Sequence, residues 1–135
     1  MSGPRACTTL GGGLQNLARV SITRIGFDGR HGVSAAERRG LRRFEVDVDI
    51  VADLSAAERS DDLEDTIDYA KVAELVVKIG TGSEHHLIES LARRMLDALA
   101  ERFPLARIEL VLRKMAPPDC VGHPESATVS LTHSP

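Results

Sequence analysis

Apolar and polar residues alternate in four stretches of this chain, and two stretches between them repeat with a helical period. Val20 and Ile22 alternate with polar neighbours, and Ile25 and Phe27 continue one residue out of phase, as in a strand with a bulge or bend. Residues 29–43 then read as a loop. Phe44, Val46, Val48 and Ile50 alternate with Glu45, Asp47 and Asp49, predicting a half-buried strand with an acidic outer face. Asp68 is the expected N-cap of a helix with Tyr69 in its first turn; Val72, Leu75, Val76 and Ile79 recur at helical spacing, and Gly80 is expected to end it. A second helix, capped by Ser83, carries Leu87, Ile88, Leu91, Met95, Ala98, Leu99 and Phe103 on one stripe and stops at Pro104. Ile108, Leu110 and Leu112 mark a third strand, and Ala127, Val129 and Leu131 a fourth.

The order β-β-α-α-β-β implies an α+β fold, a four-stranded, mostly antiparallel sheet with two helices on one face. Such a sheet has two open edges, and open edges invite pairing between chains. Residues 1–18 lack periodicity and contain Gly11–Gly13, so residues 1–19 read as a flexible N-terminal extension and 20–135 as a single domain. At 135 residues, one domain buries roughly two-thirds of its unfolded surface.

Composition narrows the function. A formal net charge of -3 offers no electrostatic attraction to nucleic acid. The cluster Arg38, Arg39, Arg42 and Arg43 lacks interleaved aromatics and reads as solvated or subunit-facing. No apolar run nears the roughly 20 residues that span a bilayer, and the N-terminus lacks a signal-like apolar core. Cys7 and Cys120 form no framework, so a reducing, cytoplasmic setting is the simplest expectation. There is one tyrosine and no tryptophan, which makes the role of the Tyr69 hydroxyl worth asking.

Four polar residues are candidates for chemistry. Lys114 shares the parity of Ile108, Leu110 and Leu112, so it points to the core side at its strand's end, where an ammonium needs a partner or a cavity. The bland alternative is a lysine snorkelling out of a strand terminus. Glu89 lies early in the second helix, where the helix dipole alone would favour a carboxylate. Its two oxygens also suit a paired N–H edge. Tyr69 could simply pack its ring at a helix start, and Glu37 could be a solvated loop charge. A metal site is not expected: Cys120 and His123 have no completing pair, and His85 and His86, adjacent on one helix, cannot both face one ion. Neither a Gly-rich phosphate loop nor a Ser/His/Asp signature is present.

The segments holding these residues, GRHGVSAAERRGLRRFEVDV (29–48), SDDLEDTIDYAKVAELV (60–76), LIESLARRML (87–96) and LRKMAPP (112–118), resemble the dihydroneopterin aldolase family from about Val20 to Thr132. The likeness includes an HG loop at His31-Gly32 and a DT-x-x-Y motif at Asp65, Thr66 and Tyr69. It implies the tunnelling fold, in which sheets join edge to edge into an oligomeric barrel, with an octamer of two four-membered rings. It also implies a folate-biosynthesis lyase that splits 7,8-dihydroneopterin into 6-hydroxymethyl-7,8-dihydropterin and glycolaldehyde and epimerises the side chain. No cofactor, metal or Schiff-base lysine is expected, because the dihydropterin C=N bond is itself the electron sink. On the matching positions, Lys114 is the expected general acid/base near N5. Glu89 with the Ile88 backbone would anchor the pterin edge, Glu37 would hold the trihydroxypropyl tail, and Tyr69 of a neighbouring subunit would assist proton transfer. Ile67, beside Tyr69, joins the expected substrate-binding set. Two alternatives remain: a dihydroneopterin triphosphate epimerase using the arginine cluster, and a silent α+β assembly module. Met115-Ala116 after Lys114, the lengthened segment 117–123 and Asp68 depart from the family's usual residues.

Overall fold

Residues 16–135 are described by the computed structural model. Strands β1 (Leu17–Gly29), β2 (Arg42–Asp53), β3 (Arg107–Met115) and β4 (Ser126–His133) form one antiparallel sheet in the order β1-β2-β3-β4. The long helices α3 (Tyr69–Gly82) and α4 (Ile88–Arg102) cover one face, α3 over β1 and α4 over β3 and β4. Two short helices, α1 (Ala35–Arg39) and α2 (Ser55–Ser60), and a 3-10 turn (Leu63–Asp65) fill connections. This is the expected α+β arrangement, with β1 and β4 as the outer strands. None of the described helices is long and apolar enough to cross a membrane.

The phase slip in β1 is a bulge: the register with β2 shifts between Ile22 and Ile25. Arg24 takes a left-handed backbone there (φ 59°), and its N–H donates to Asp47 Oδ1 at 2.7 Å. The bulge restores Ile25 and Phe27 to the buried face beside Phe44, Val46, Val48 and Ile50. The core closes with Val72, Val76 and Ile79 from α3 and Leu91, Met95, Leu96 and Leu99 from α4. On the opposite face, the acidic row of β2 meets arginines: Arg113 binds Asp47 at 2.6 Å and Arg19 binds Asp49 at 3.4 Å. The Arg113 guanidinium holds the Asp47 carboxyl below its usual range.

Several boundaries differ from the sequence expectations. β1 begins at Leu17, whereas residues 1–15 of the expected extension lie outside the described residues. Glu37 sits on α1 rather than in an irregular loop; the Ser34 hydroxyl accepts its N–H and its carboxylate turns back to the Ser34 N–H, a capping box. Asp68 caps α3, accepting N–H groups from Ala70 and Lys71. Gly80 does not end that helix. It lies buried in the last turn, where a Cβ would come 2.4 Å from the Phe27 ring, so the glycine serves close packing rather than termination. Ser83 does not cap α4 either; its hydroxyl donates back to the Ile79 carbonyl at the end of α3, and α4 starts at Ile88 behind Leu87. His85 and His86 therefore occupy the α3–α4 connection, not a helix.

Candidate active site

The expected inward lysine is found in place. Lys114 is only 6% exposed, lies opposite Phe44 in the sheet register, and its Nζ donates to Glu37 Oε2 at 2.6 Å. The flanking turn makes this approach possible. A Cβ on Gly32 would stand 2.7 Å from the Glu37 Cβ, so only a hydrogen at position 32 lets Glu37 lean over the turn. The Lys114 ammonium, by its hydrogen bond, holds the Glu37 carboxyl below the usual carboxylate range. A carboxylate and an ammonium in direct contact, with side chains 19% and 8% exposed, form a mostly dry pair able to hold and pass a proton.

His31, taken from the sequence only as part of an HG loop, ties this corner together. It is fully buried, edge-on to Phe44 at 5.2 Å between ring centroids. Its Nε2–H donates to the Gly80 carbonyl at 2.8 Å, and its Nδ1 accepts the His85 N–H at 3.0 Å. The Gly32 N–H also donates to the His85 carbonyl at 3.0 Å. Both ring nitrogens are thus used by a neutral imidazole. The only sequence signal for this role was His-Gly before an acidic residue.

Burial lowers the His31 pKa below 6.5, outweighing the raising effect of the Gly80 carbonyl. The unfolded chain therefore takes up the proton first as pH falls, and His31 favours the folded state fully only above about pH 6.5. The urea midpoint should drop as pH is lowered from 7 through 5.5, and His31→Gln, which does not titrate, should flatten that drop. A wild-type midpoint constant across this range would remove the argument. Glu37 adds a separate, more acidic window, its contribution being lost below about pH 4.5.

The other expected site residues fall into two groups. Ile88 and Glu89 open α4, three and four residues after His85, so the connection bound to the His31 turn leads directly to them. Glu89 is exposed, with its carboxylate in the first helical turn. Tyr69 and Ile67 lie elsewhere. Gly80, bonded to His31, is at one end of α3 and Tyr69 at the other, about 16 Å away at a helical rise of ~1.5 Å per residue. Tyr69 is 67% exposed there, whereas Ile67 is 5% exposed and packs in the core. One chain thus pairs Lys114 with Glu37, bonds the 31–32 turn to the connection that leads into α4, and presents its tyrosine at the other end of α3. Among the described residues, no cluster of three His, Cys, Asp or Glu side chains could hold a metal ion.

Residues 20–132 match the model of the dihydroneopterin aldolase (FolB) family. The chain is 36% identical to the dihydroneopterin aldolase of Methylorubrum extorquens over 100 residues, covering 74% of this chain and 75% of that protein. It is 34% identical to that of Bacillus subtilis over 115 residues, covering 84% and 95% of the two chains. In fold, it is similar to the crystal structure of the E. coli dihydroneopterin aldolase in complex with neopterin. That match has a TM-score of 0.79, 24% identity, and coverage of 87% and 99%. A Burkholderia thailandensis dihydroneopterin aldolase bound to guanine superposes with a TM-score of 0.72, 19% identity and coverage of 93% and 98%.

Proposed function

This chain belongs to the dihydroneopterin aldolase family, and from that premise we propose how its residues carry out the family's lyase reaction. The substrate is 7,8-dihydroneopterin, and the bond broken is C1′–C2′ of its trihydroxypropyl side chain. Lys114 is the proton-transferring group: as the proton of the 2′-hydroxyl leaves and glycolaldehyde forms, the bonding pair moves into the dihydropterin ring and N5 is protonated. Protonation at C1′ with loss of the N5 proton then restores the ring C6=N5 bond and gives 6-hydroxymethyl-7,8-dihydropterin. The observation that carries this reading is the Lys114–Glu37 contact of 2.6 Å. It gives the amine a carboxylate partner at the end of a sheet strand. Glu37 orients the amine and, when substrate enters, holds the side-chain hydroxyls. Re-addition of the C1′ carbon to the other face of the bound glycolaldehyde, with C1′–C2′ re-formed, the N5 proton lost and the 2′-oxygen reprotonated, would account for epimerisation at C2′.

Glu89 and the Ile88 backbone anchor the pterin. A neutral pterin offers adjacent N–H donors, and an exposed carboxylate at a helix start accepts both by geometry as well as charge. Glu89→Gln should weaken binding of 6-hydroxymethyl-7,8-dihydropterin by about 10–100-fold, since the amide turns a donor toward a donor. Its melting temperature should barely move. Equal dissociation constants for variant and wild type, measured by fluorescence titration, would return Glu89 to a dipole role.

The fourth group comes from another copy of the chain. Tyr69, exposed at the opposite end of α3 from the His31-bound Gly80, is available to a neighbour's site, with Ile67, two residues before it, as the adjoining substrate-binding residue. Outer strands β1 and β4 supply the edges for closed assembly, and the family's octamer of two four-membered rings is the proposed state. Incubating the protein with 7,8-dihydroneopterin, and separately with its triphosphate, then separating products by chromatography, tests the reaction. Glycolaldehyde from the first supports the lyase; only an epimer of the triphosphate would replace that reading.

A further inference from the structure

We propose that Arg38 is a positioning residue for the proton-transfer pair, its guanidinium clamping the helix that carries Glu37 to the two turns flanking the site. The proposal rests on the role given above to Glu37. α1 has five residues and buries none of them, far too little to hold a helix by itself. Its capping box fixes the start of the helix but not where the helix lies on the protein. Arg38 supplies that anchor. Its side chain is 15% exposed; one Nη1 donates to the carbonyls of Gly32 and Val33 at 2.9 and 2.8 Å, and Nε lies 3.3 Å from the Glu84 carboxylate.

These contacts fall on both site-bearing segments. Gly32 and Val33 form the turn over which Glu37 leans, and Gly32 itself is bonded to His85. Glu84 belongs to the α3–α4 connection that leads to Ile88 and Glu89. Arg38 thus closes the bridge that His31 begins, on the side facing solvent. A guanidinium suits this task because its donors stand in a fixed fork, so three acceptors set both position and angle of the helix. The sequence places Arg38 in a run with Arg39, Arg42 and Arg43, but Arg39 beside it is exposed and has no such clamp. With the clamp removed, the Gly32 and Val33 carbonyls turn to water and α1 is free to shift. A displacement near 1 Å from a proton-transfer geometry costs about 100-fold in rate.

The test is a double-mutant cycle on the whole assembled protein. Arg38→Ala should lower kcat by about 10–100-fold while the product dissociation constant, set at Glu89, changes less than about threefold. Arg38→Lys, which reaches fewer acceptors, should recover part of the loss. In a Glu37→Gln background, Arg38→Ala should cost nothing further, because a residue acting only through Glu37 has nothing left to position. If Arg38→Ala fails to fold, Arg38→Lys takes its place in the cycle. Losses that multiply, or an Arg38 variant with wild-type kcat, would overturn the clamp while leaving Glu37 its role. A Glu37→Gln enzyme with wild-type kcat would instead remove that role, and the clamp with it.

Discussion

Lys114→Ala should lower turnover by about 10²–10⁴-fold, the range expected when a positioned proton-transfer group is lost. The side chain removed is the amine whose partner and orientation the protein has set, at 2.6 Å from Glu37 and 6% exposure. Water entering the gap would bring neither the fixed distance nor the charge. The change also strands Glu37, whose low pKa depends first on the Lys114 hydrogen bond, as a half-buried carboxylate without its cation. That should cost about 1–3 kcal/mol of stability, so the variant should melt earlier but remain folded at room temperature. The Glu37 carboxyl, freed of its partner, should titrate at higher pH than in the wild type. Borohydride added during wild-type turnover should trap no covalent adduct. A trapped lysine adduct would mean that Lys114 attacks the substrate rather than moving protons, and near-normal turnover in Lys114→Ala would place the chemistry elsewhere.

The parts of the fold that depend on period were readable from the chain. Ile108 to Lys114 alternate strictly, so the inward direction of Lys114 followed from parity and the structure agrees. The slip between Ile22 and Ile25 was equally direct, because a bulge is the one way to keep both halves of β1 facing the core. Gly80 and Ser83 depart from their expected roles because glycine and serine each have several uses. Gly80 serves a close ring contact inside α3, and Ser83 bonds backward to Ile79 instead of forward to a new helix. Local pattern does not separate those cases; only the neighbour across the interface does. Glu37 was found through its motif, but its contact with Lys114 spans 77 positions and has no local signature. The same holds for the contacts of His31 with His85 and of Arg38 with Glu84, both on the α3–α4 connection. Tyr69 was legible as a lone tyrosine at a helix start. Its separation along α3 from the His31 turn could be seen only once His31 was found bonded to Gly80.

Tyr69→Ala should be the second most damaging substitution, costing about 100-fold in kcat as a lost proton-transfer assistant, with little effect on melting because the side chain is 67% exposed. The central claim is that each site combines Lys114 and Glu37 of one chain with Tyr69 of another, and mixing two inactive proteins tests it most directly. Tyr69→Ala and Lys114→Ala chains, unfolded together in equal amounts and reassembled, should place an intact Lys114 beside an intact neighbouring Tyr69 at about one site in four. Activity should then recover to about a quarter of wild type, while each variant reassembled alone stays near its low baseline. Proven mixing of the two chains with no recovery would contradict the account, because each subunit would then carry its whole site.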